Sequence, residues 1–400
     1  MSALTDDIAR QYEQWVYPRP SFDLHELSAR QRSSANPAAK HLTFWPDRDY
    51  PRGLEVLVAG CGANQAAAIA FQNPSAHVLG IDISASSLAH EELLKSKYQL
   101  TNLELAQLPI ESVSTLGREF DLIAASGVLH HMADPLAGAR ILGDRLKPDG
   151  VMAIMLYGRH GRVGVEMLRG VFGSLGLRQD VPSLEIVKDT LAQLPPDHPA
   201  RPLLDSDDAR FDAGLVDLFL NARERSYTVS ECLNFVSEAG LAFQGWADNG
   251  PYYPELQFKI GSPIYEAICT LPDPQIWAAM EQLRPTDLYT HQFIACRTTR
   301  PRRQHEMDFT GAAFPEYVPS WGNGWALAED GGHAVIRRGR TAIPLGGVQL
   351  PFARAVDGVR TMSIILGQIG DPEGRQFGRQ LCRILWRAGM MLFRIPRAPA

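Results

Sequence analysis

The hydrophobic pattern changes character along these 400 residues. Between Leu54 and Tyr157 the apolar residues come in short unbroken runs, over 54–59, into Gly80-Ile81-Asp82, and over 120–126 and 151–157. Runs of that length without alternation predict strands covered on both faces, the mark of a parallel sheet with helices on either side. An alanine-rich helix follows the first run. Asp134-Pro135 supplies an N-cap and a first-turn proline for a helix over 136–146, and residues 146–150 (Leu-Lys-Pro-Asp-Gly) predict a turn before the strand 151–157.

From 158 to 226 the strand pattern pauses and gives way to helical periods over 183–193 and 213–221. Thr228-Val229-Ser230-Glu231 predicts a capping box, opening a helix that Gly240 closes. Residues 241–246 and 289–297 supply the last two strands, and 298–306 a polar linker. Beyond it, 332–345 alternates like a hairpin, 346–357 and 361–367 predict short helices, and 377–387 a longer one. The chain divides accordingly into an N-terminal cap (1–50), a sheet domain (51–298) with an insertion over 158–226, and an α+β module (307–400) whose pattern admits a winged-helix-like arrangement.

The first run stops at Ala59-Gly60-Cys61-Gly62-Ala63-Asn64-Gln65. A strand–glycine turn–helix corner lets a ligand approach bare backbone N–H groups at a helix N-terminus. Asp82 ends the next strand 20 residues after Gly62, where a carboxylate can accept from the two hydroxyls of a ribose. Together they predict a nucleoside-bearing cofactor. A dinucleotide turn wants a third glycine where Gln65 stands, so a dehydrogenase is the weaker alternative. Asn64 is expected to tolerate positive φ in this turn.

The ordered set of glycine turn, Asp82, the run 120–126, Leu129-His130-His131, Asp134-Pro135, helix, Lys147-Pro148-Asp149-Gly150 and strand resembles the class I S-adenosylmethionine-dependent methyltransferases. The resemblance implies an α/β, Rossmann-like seven-stranded methyltransferase sheet with helices on both faces, an inserted helical lid and a small α+β C-terminal module. It implies S-adenosyl-L-methionine as cofactor, with Gly60, Cys61, Gly62, Asn64 and Gln65 in the turn, Asp82 on the ribose, and Ile83 on an adenine face. Gln107 or Leu108 would border the adenine, where the family often has an acid, and Ser126 would face the methionine end. Gln11-Tyr12-Glu13-Gln14-Trp15-Val16-Tyr17-Pro18-Arg19-Pro20 and residues 217–228 are similar to segments of one bacterial group of these enzymes. That similarity makes the first segment a cap over the cofactor pocket; Tyr12, Tyr17 and Arg19, with Arg225 and Tyr227 in the lid, are the candidates to line the acceptor pocket. His130, His131 and Tyr157 are the catalytic candidates, one histidine as a general base near neutrality or both as packing groups.

Methyl transfer from a sulfonium needs alignment more than covalent help, so the residues fix the donor and leave the acceptor open. A small or medium-sized molecule is expected, through O, N or S; a protein recruited by the C-terminal module, or a non-catalytic cofactor-binding protein, are the alternatives. The stretch 299–400 carries 14 Arg, no Lys and 8 Asp plus Glu within a chain of net charge −6, so a basic module joins an acidic remainder. No DNA-reading motif accompanies that charge, which disfavours a nucleic-acid partner, and oligomeric state is open. The five cysteines (61, 232, 269, 296, 382) show no Cys-x-x-Cys spacing, so neither a disulfide framework nor a metal site is expected. With no cleavable leader pattern and no run near 20 apolar residues, the expected location is cytoplasmic, with no membrane partner.

Overall fold

A central sheet carries the first of two units. The computed structural model describes residues 7–30, 35–322, 324–330, 333–339, 341–346, 349–368 and 372–396. Unit one comprises Met1–Pro37, Arg52–Phe243 and Arg284–Thr298; unit two comprises Ala38–Pro51, Gln244–Leu283 and Thr299–Ala400.

The strands are β1 (Glu55–Ala59), β2 (His77–Asp82), β3 (Leu103–Gln107), β4 (Phe120–Ser126), β5 (Leu146–Gly158), β6 (Ser226–Tyr227), β7 (Leu241–Trp246) and β8 (Thr290–Arg297). Their order is β3-β2-β1-β4-β5-β8-β7, with β6 pairing β5 off that path. β1 pairs parallel with β2 on one side (Val58↔Gly80) and β4 on the other (Val58↔Ala124), so the strand order reverses at β1. A crevice at such a reversal is where open α/β sheets bind ligands. Val56, Leu57, Val58, Leu122, Ile123 and Ala124 are fully buried, as expected for strands sandwiched between helices.

Several elements depart from the sequence reading in physically legible ways. The helix after Asp134 spans Pro135–Gly143, shorter than expected, with the Asp134 carboxylate capping the Ala137 N–H at 3.0 Å. The expected turn 146–150 instead belongs to β5, which pairs Leu146 with Phe120 across a register irregularity. Gly150 permits this, because a Cβ there would lie 2.7 Å from the Phe120 carbonyl oxygen. β6 adds an eighth strand to the seven expected. The segment 213–221 begins as a helix (Asp212–Leu215) and widens into a π turn over Val216–Leu220. The Thr228–Glu231 capping box is present, with Glu231 N–H donating to Thr228 Oγ1 (3.2 Å) and Thr228 N–H to Glu231 Oε2 (2.8 Å).

Unit two has its own core, with Phe314, Phe352, Met362, Ile365 and Phe393 at its centre. Strands β9 (Val318–Trp321) and β13 (Met391–Arg394) pair, while β10 (Ala326–Asp330), β11 (His333–Arg338) and β12 (Thr341–Pro344) form an antiparallel meander. The expected hairpin is the second half of that meander; Gly332 lies outside the described residues. Helices span Gln349–Ala355, Met362–Gly367 and Pro372–Arg387. This unit also takes in 38–51 and 244–283, which the sequence reading assigned elsewhere. The ties are tertiary: Arg300 donates to the Phe44 carbonyl (3.2 Å) and to Gln244 Oε1 (2.8 Å), and Ile395 N–H to the Pro46 carbonyl (2.8 Å). Arg300 is itself buried, so the 298–306 segment is not a plain solvated linker. Among the described residues no helix is long and apolar enough to cross a membrane.

Helix Gln65–Gln72 is anchored from the side. The buried Glu91 carboxylate accepts from the Ala66 and Ala67 N–H groups, each at 2.9 Å, filling two of the helix's unsatisfied N-terminal donors. Burial pushes the Glu91 pKa up to about 8, against the pull of those two hydrogen bonds and with Asp82 adding to the rise. The folded chain therefore holds this proton where the unfolded chain has released it, so the group's contribution to stability falls as pH rises from about 4.5 to 8. Urea titrations of the wild type and Glu91→Gln across that range should show the wild type's advantage shrinking with pH; a pH-independent difference contradicts this. Glu91→Ala, which strands both N–H groups, should cost about 1–3 kcal/mol by the same measurement.

Candidate functional site

The carboxyl ends of β1, β2, β4 and β5 open into a cavity of about 770 Å³, within the range of small-molecule sites. Gly60 (φ +68) and Gly62 (φ +56) form its floor in the left-handed conformation that suits glycine. A Cβ on Gly60 would lie 2.5 Å from Val128 Cγ2, and one on Gly62 2.7 Å from Pro18 Cδ. The Gly62 N–H donates to Asp82 Oδ2 at 2.8 Å and the Ser84 N–H to Oδ1 at 2.9 Å. Burial raises the Asp82 pKa, opposed by these hydrogen bonds. Each carboxylate oxygen accepts more than one hydrogen bond, so both keep capacity for ribose hydroxyls. Cys61, Gln65, Ile83, Leu108 and Ser126 line the same cavity. Burial raises the Cys61 thiol pKa well above its ordinary value, so it packs as a neutral group.

Two residues in this half differ from expectation. Asn64 sits at φ −144, so it does not serve as a left-handed turn residue. Its amide instead clamps the N-terminal segment: Oδ1 accepts from the Ser21 N–H (2.8 Å) and Nδ2 donates to the Arg19 carbonyl (2.9 Å). Gln107 lies outside the cavity lining, its Nε2 donating to the Ile83 carbonyl at 2.9 Å. Glu111, four residues on, lines the cavity. Glu13 also escaped the sequence reading. It accepts from Ser84 Oγ (3.1 Å), Ser86 N–H (3.1 Å) and Ser86 Oγ (2.7 Å), pinning helix Asp7–Gln14 against helix Ala85–Tyr98. Those Ser86 hydrogen bonds lower its pKa.

At the other end, Tyr12, Tyr17, His131, Met155, Tyr157, Arg223 and Gln292 face the cavity. Behind them lies Asp217, whose Oδ1 accepts from the Tyr12 hydroxyl at 2.8 Å and whose Oδ2 accepts from the Tyr157 hydroxyl at 3.3 Å. Asn221 Nδ2 donates to Asp217 Oδ1 at 3.2 Å. Arg162 lies flat against the Tyr157 ring, 3.7 Å from its centre, and pairs with the buried Glu224 at 2.8 Å. Burial first, then the Asp217 charge, raises the Tyr12, Tyr17 and Tyr157 pKa values well above their ordinary position. These phenols stay protonated, which argues against Tyr157 as a proton acceptor.

The two histidines part company. His131 faces the cavity, and its Nδ1 lies 2.8 Å from the Arg223 carbonyl. A carbonyl only accepts, so Nδ1 carries the proton and Nε2 is the basic nitrogen of the neutral ring. His130 is buried behind the wall, 4.0 Å ring to ring from Tyr157; burial first, then His131 and Arg162, lowers its pKa well below the ordinary value. It is neutral and outside the lining. Three acceptor-side candidates also fall outside it: Arg19 is exposed and offers only its carbonyl to Asn64; Arg225 is exposed and lies over the Tyr227 ring at 4.8 Å; Tyr227 is buried beneath it. Within the stretch 217–228, Arg223 lines the cavity, and Asp217 and Asn221 hydrogen-bond to its tyrosines. A lone carboxylate inside the apolar run Val216-Asp217-Leu218-Phe219-Leu220 was the available signal, because a buried charge needs partners. Among the described residues no group of three or more His, Cys, Asp or Glu could hold a metal ion.

Asn64→Ala removes both clamps on 19–21, and limited proteolysis or hydrogen exchange should show faster opening of residues 17–21, with a cost of about 1–3 kcal/mol; unchanged protection contradicts the clamp.

Comparison with known proteins agrees with this geometry. Residues 57–152 match a family model described as a methyltransferase domain. A Synechococcus protein of uncharacterized role is 28% identical over 257 residues, 62% of this chain, and the chain spans 61% of that relative's length. The tRNA 5-carboxymethoxyuridine methyltransferase of Escherichia coli is 26% identical over 205 residues, 49% of this chain and 70% of that enzyme. In fold, the chain is similar to PKMT2 of Rickettsia typhi in complex with AdoHcy, with TM-score 0.63 and 14% identity, covering 96% of this chain and 78% of that one. The glycine turn, Asp82 and the cavity above them fit a sulfonium nucleoside, and residues 57–152 carry a methyltransferase domain of the S-adenosylmethionine-dependent kind.

Proposed function

We propose that this chain moves a methyl group from S-adenosylmethionine to an O, N or S nucleophile of a small or medium-sized acceptor bound at the tyrosine-lined end of the cavity. The observation that carries the reading is the single cavity joining the Asp82–Gly62 contact to the wall formed by Tyr12, His131 and Tyr157. When bound, the cofactor supplies an electrophilic methyl carbon on a positively charged sulfur, with a neutral leaving group. The protein's part is then to grip, align and exclude water. Asp82 accepts from the ribose, and Glu111 stands at the adenine side. Alignment of donor and acceptor can supply roughly 7–11 kcal/mol of the barrier. His131 Nε2 is the group placed to take a proton where the acceptor must lose one.

A protein acceptor is the second reading, favoured by the self-contained core of unit two. Incubating labelled methyl donor with lysate separated into small-molecule, protein and RNA fractions distinguishes them: label in the small-molecule fraction supports the first reading, label confined to protein the second.

Titration calorimetry with S-adenosylhomocysteine should show binding by the wild type. Asp82→Ala should weaken it about 10- to 100-fold, because hydrogen bonds to a charged acceptor contribute about 1.5–3 kcal/mol each. Equal binding by both proteins contradicts the assignment.

A further inference from the structure

The acceptor end of the cavity has an unusual polarity. Tyrosine hydroxyls normally face a ligand as donors or acceptors at will, because the O–H rotates. Here the rotation is taken up. Tyr12 and Tyr157 both donate to one carboxylate, Asp217. With its proton turned into the wall, each phenol oxygen can offer only lone pairs to the cavity. Asn221 Nδ2 also approaches the Tyr12 oxygen, at 3.4 Å, so Tyr157 is the freer acceptor. Arg162 does not reverse this polarity, since its guanidinium is paired with Glu224.

Asp217 is held where it is by an irregularity in the backbone. It lies in the π turn Val216–Leu220, a form that concentrates at functional sites, and its side chain is buried. A carboxylate is costly to bury without partners, and here the partners are the two cavity tyrosines and Asn221.

We infer that this tyrosine–carboxylate wall selects an acceptor that donates hydrogen bonds, and that the methylated group is an amine. This rests on the methyltransferase reading and narrows its O, N or S alternatives to nitrogen. An alkylammonium brings two or three N–H donors to phenol oxygens that can only accept, over aromatic faces that attract cations. A carboxylate or phenolate meets only lone pairs at the Tyr12 and Tyr157 oxygens. For reaction the ammonium first releases a proton, to water or to His131 Nε2. The amine lone pair then forms the C–N bond while the C–S bond pair stays on sulfur, and the methylammonium product carries the positive charge away. Asp217 is a positioning residue here: it touches neither donor nor acceptor, and acts through the two phenols.

Calorimetry on the protein saturated with S-adenosylhomocysteine tests this with three probes of one shape: n-butylamine, n-butanol and butyrate. The amine should bind about tenfold or more tightly than either of the others, the worth of one well-placed hydrogen bond to a fixed partner. Tyr157→Phe, which keeps the ring and removes the lone pairs, and Asp217→Asn, which frees a phenol proton to turn outward, should each erase that preference while S-adenosylhomocysteine affinity changes less than about threefold. Tyr157→Phe keeps the test available if Asp217→Asn does not fold. Equal binding of the three probes overturns the inference and leaves the methyltransferase reading standing. A large loss of S-adenosylhomocysteine affinity in Tyr157→Phe also overturns it, because the wall would then serve the cofactor. No nucleoside binding by the wild type is the separate failure of the reading beneath. In the covalent assay, label passed to lysate should vanish after acetylation followed by hydroxylamine, which blocks amines and restores hydroxyls and thiols; undiminished labelling overturns the inference.

Discussion

The bend between β1 and its helix is held by two acids, the half-buried Asp82 and the buried Glu91, and the site depends on both. Asp82 holds the Gly62 N–H, and Glu91 holds the Ala66 and Ala67 N–H groups one turn further on. Between them they fix the glycine backbone at a φ other residues avoid and keep the helix N-terminus fixed beside the cavity. Those N–H donors offset part of the cost of taking each acid out of water. The same contacts that hold the turn leave it facing the cavity.

The N-terminal segment completes the cavity by attaching to this bend. Pro18 lies where a side chain on Gly62 would have to go, Asn64 grips the backbone of 19–21, and Glu13 joins the first helix to the turn after Asp82. Tyr12 and Tyr17 are carried over the cavity by these attachments. From the far side, β5 brings Tyr157 and the π turn brings Asp217, so the tyrosine wall is assembled from segments more than 200 residues apart in sequence.

That separation explains which parts were legible beforehand. Gly60, Gly62 and Asp82 were readable because strand, turn and carboxylate follow one another at a fixed spacing. The Thr228–Glu231 cap and the strand 120–126 were readable for the same local reason. Asn64 was misread because its φ was guessed from the turn, whereas a tertiary contact with 19–21 decides its conformation. Arg225 and Tyr227 were acceptor candidates from the similarity of the stretch 217–228 to one bacterial group, but similarity of a stretch does not say which side of it faces inward. Asp217 and Arg223, in the same stretch, became visible only when Tyr12 and Tyr157 were placed beside them. The boundaries of unit two were hidden likewise, since Arg300 and Ile395 reach segments around 44–46 that no periodicity links to them.

The central claim is that one carboxylate and one glycine bend grip a sulfonium nucleoside, with its sulfur directed toward the tyrosine wall. A crystal structure of the chain with S-adenosylhomocysteine tests it most directly. The account predicts both ribose hydroxyls within hydrogen-bonding distance of Asp82 and the thioether sulfur lying between the Gly60 turn and Tyr157. A nucleoside bound elsewhere, or one lying in the cavity with its ribose turned away from Asp82, contradicts it.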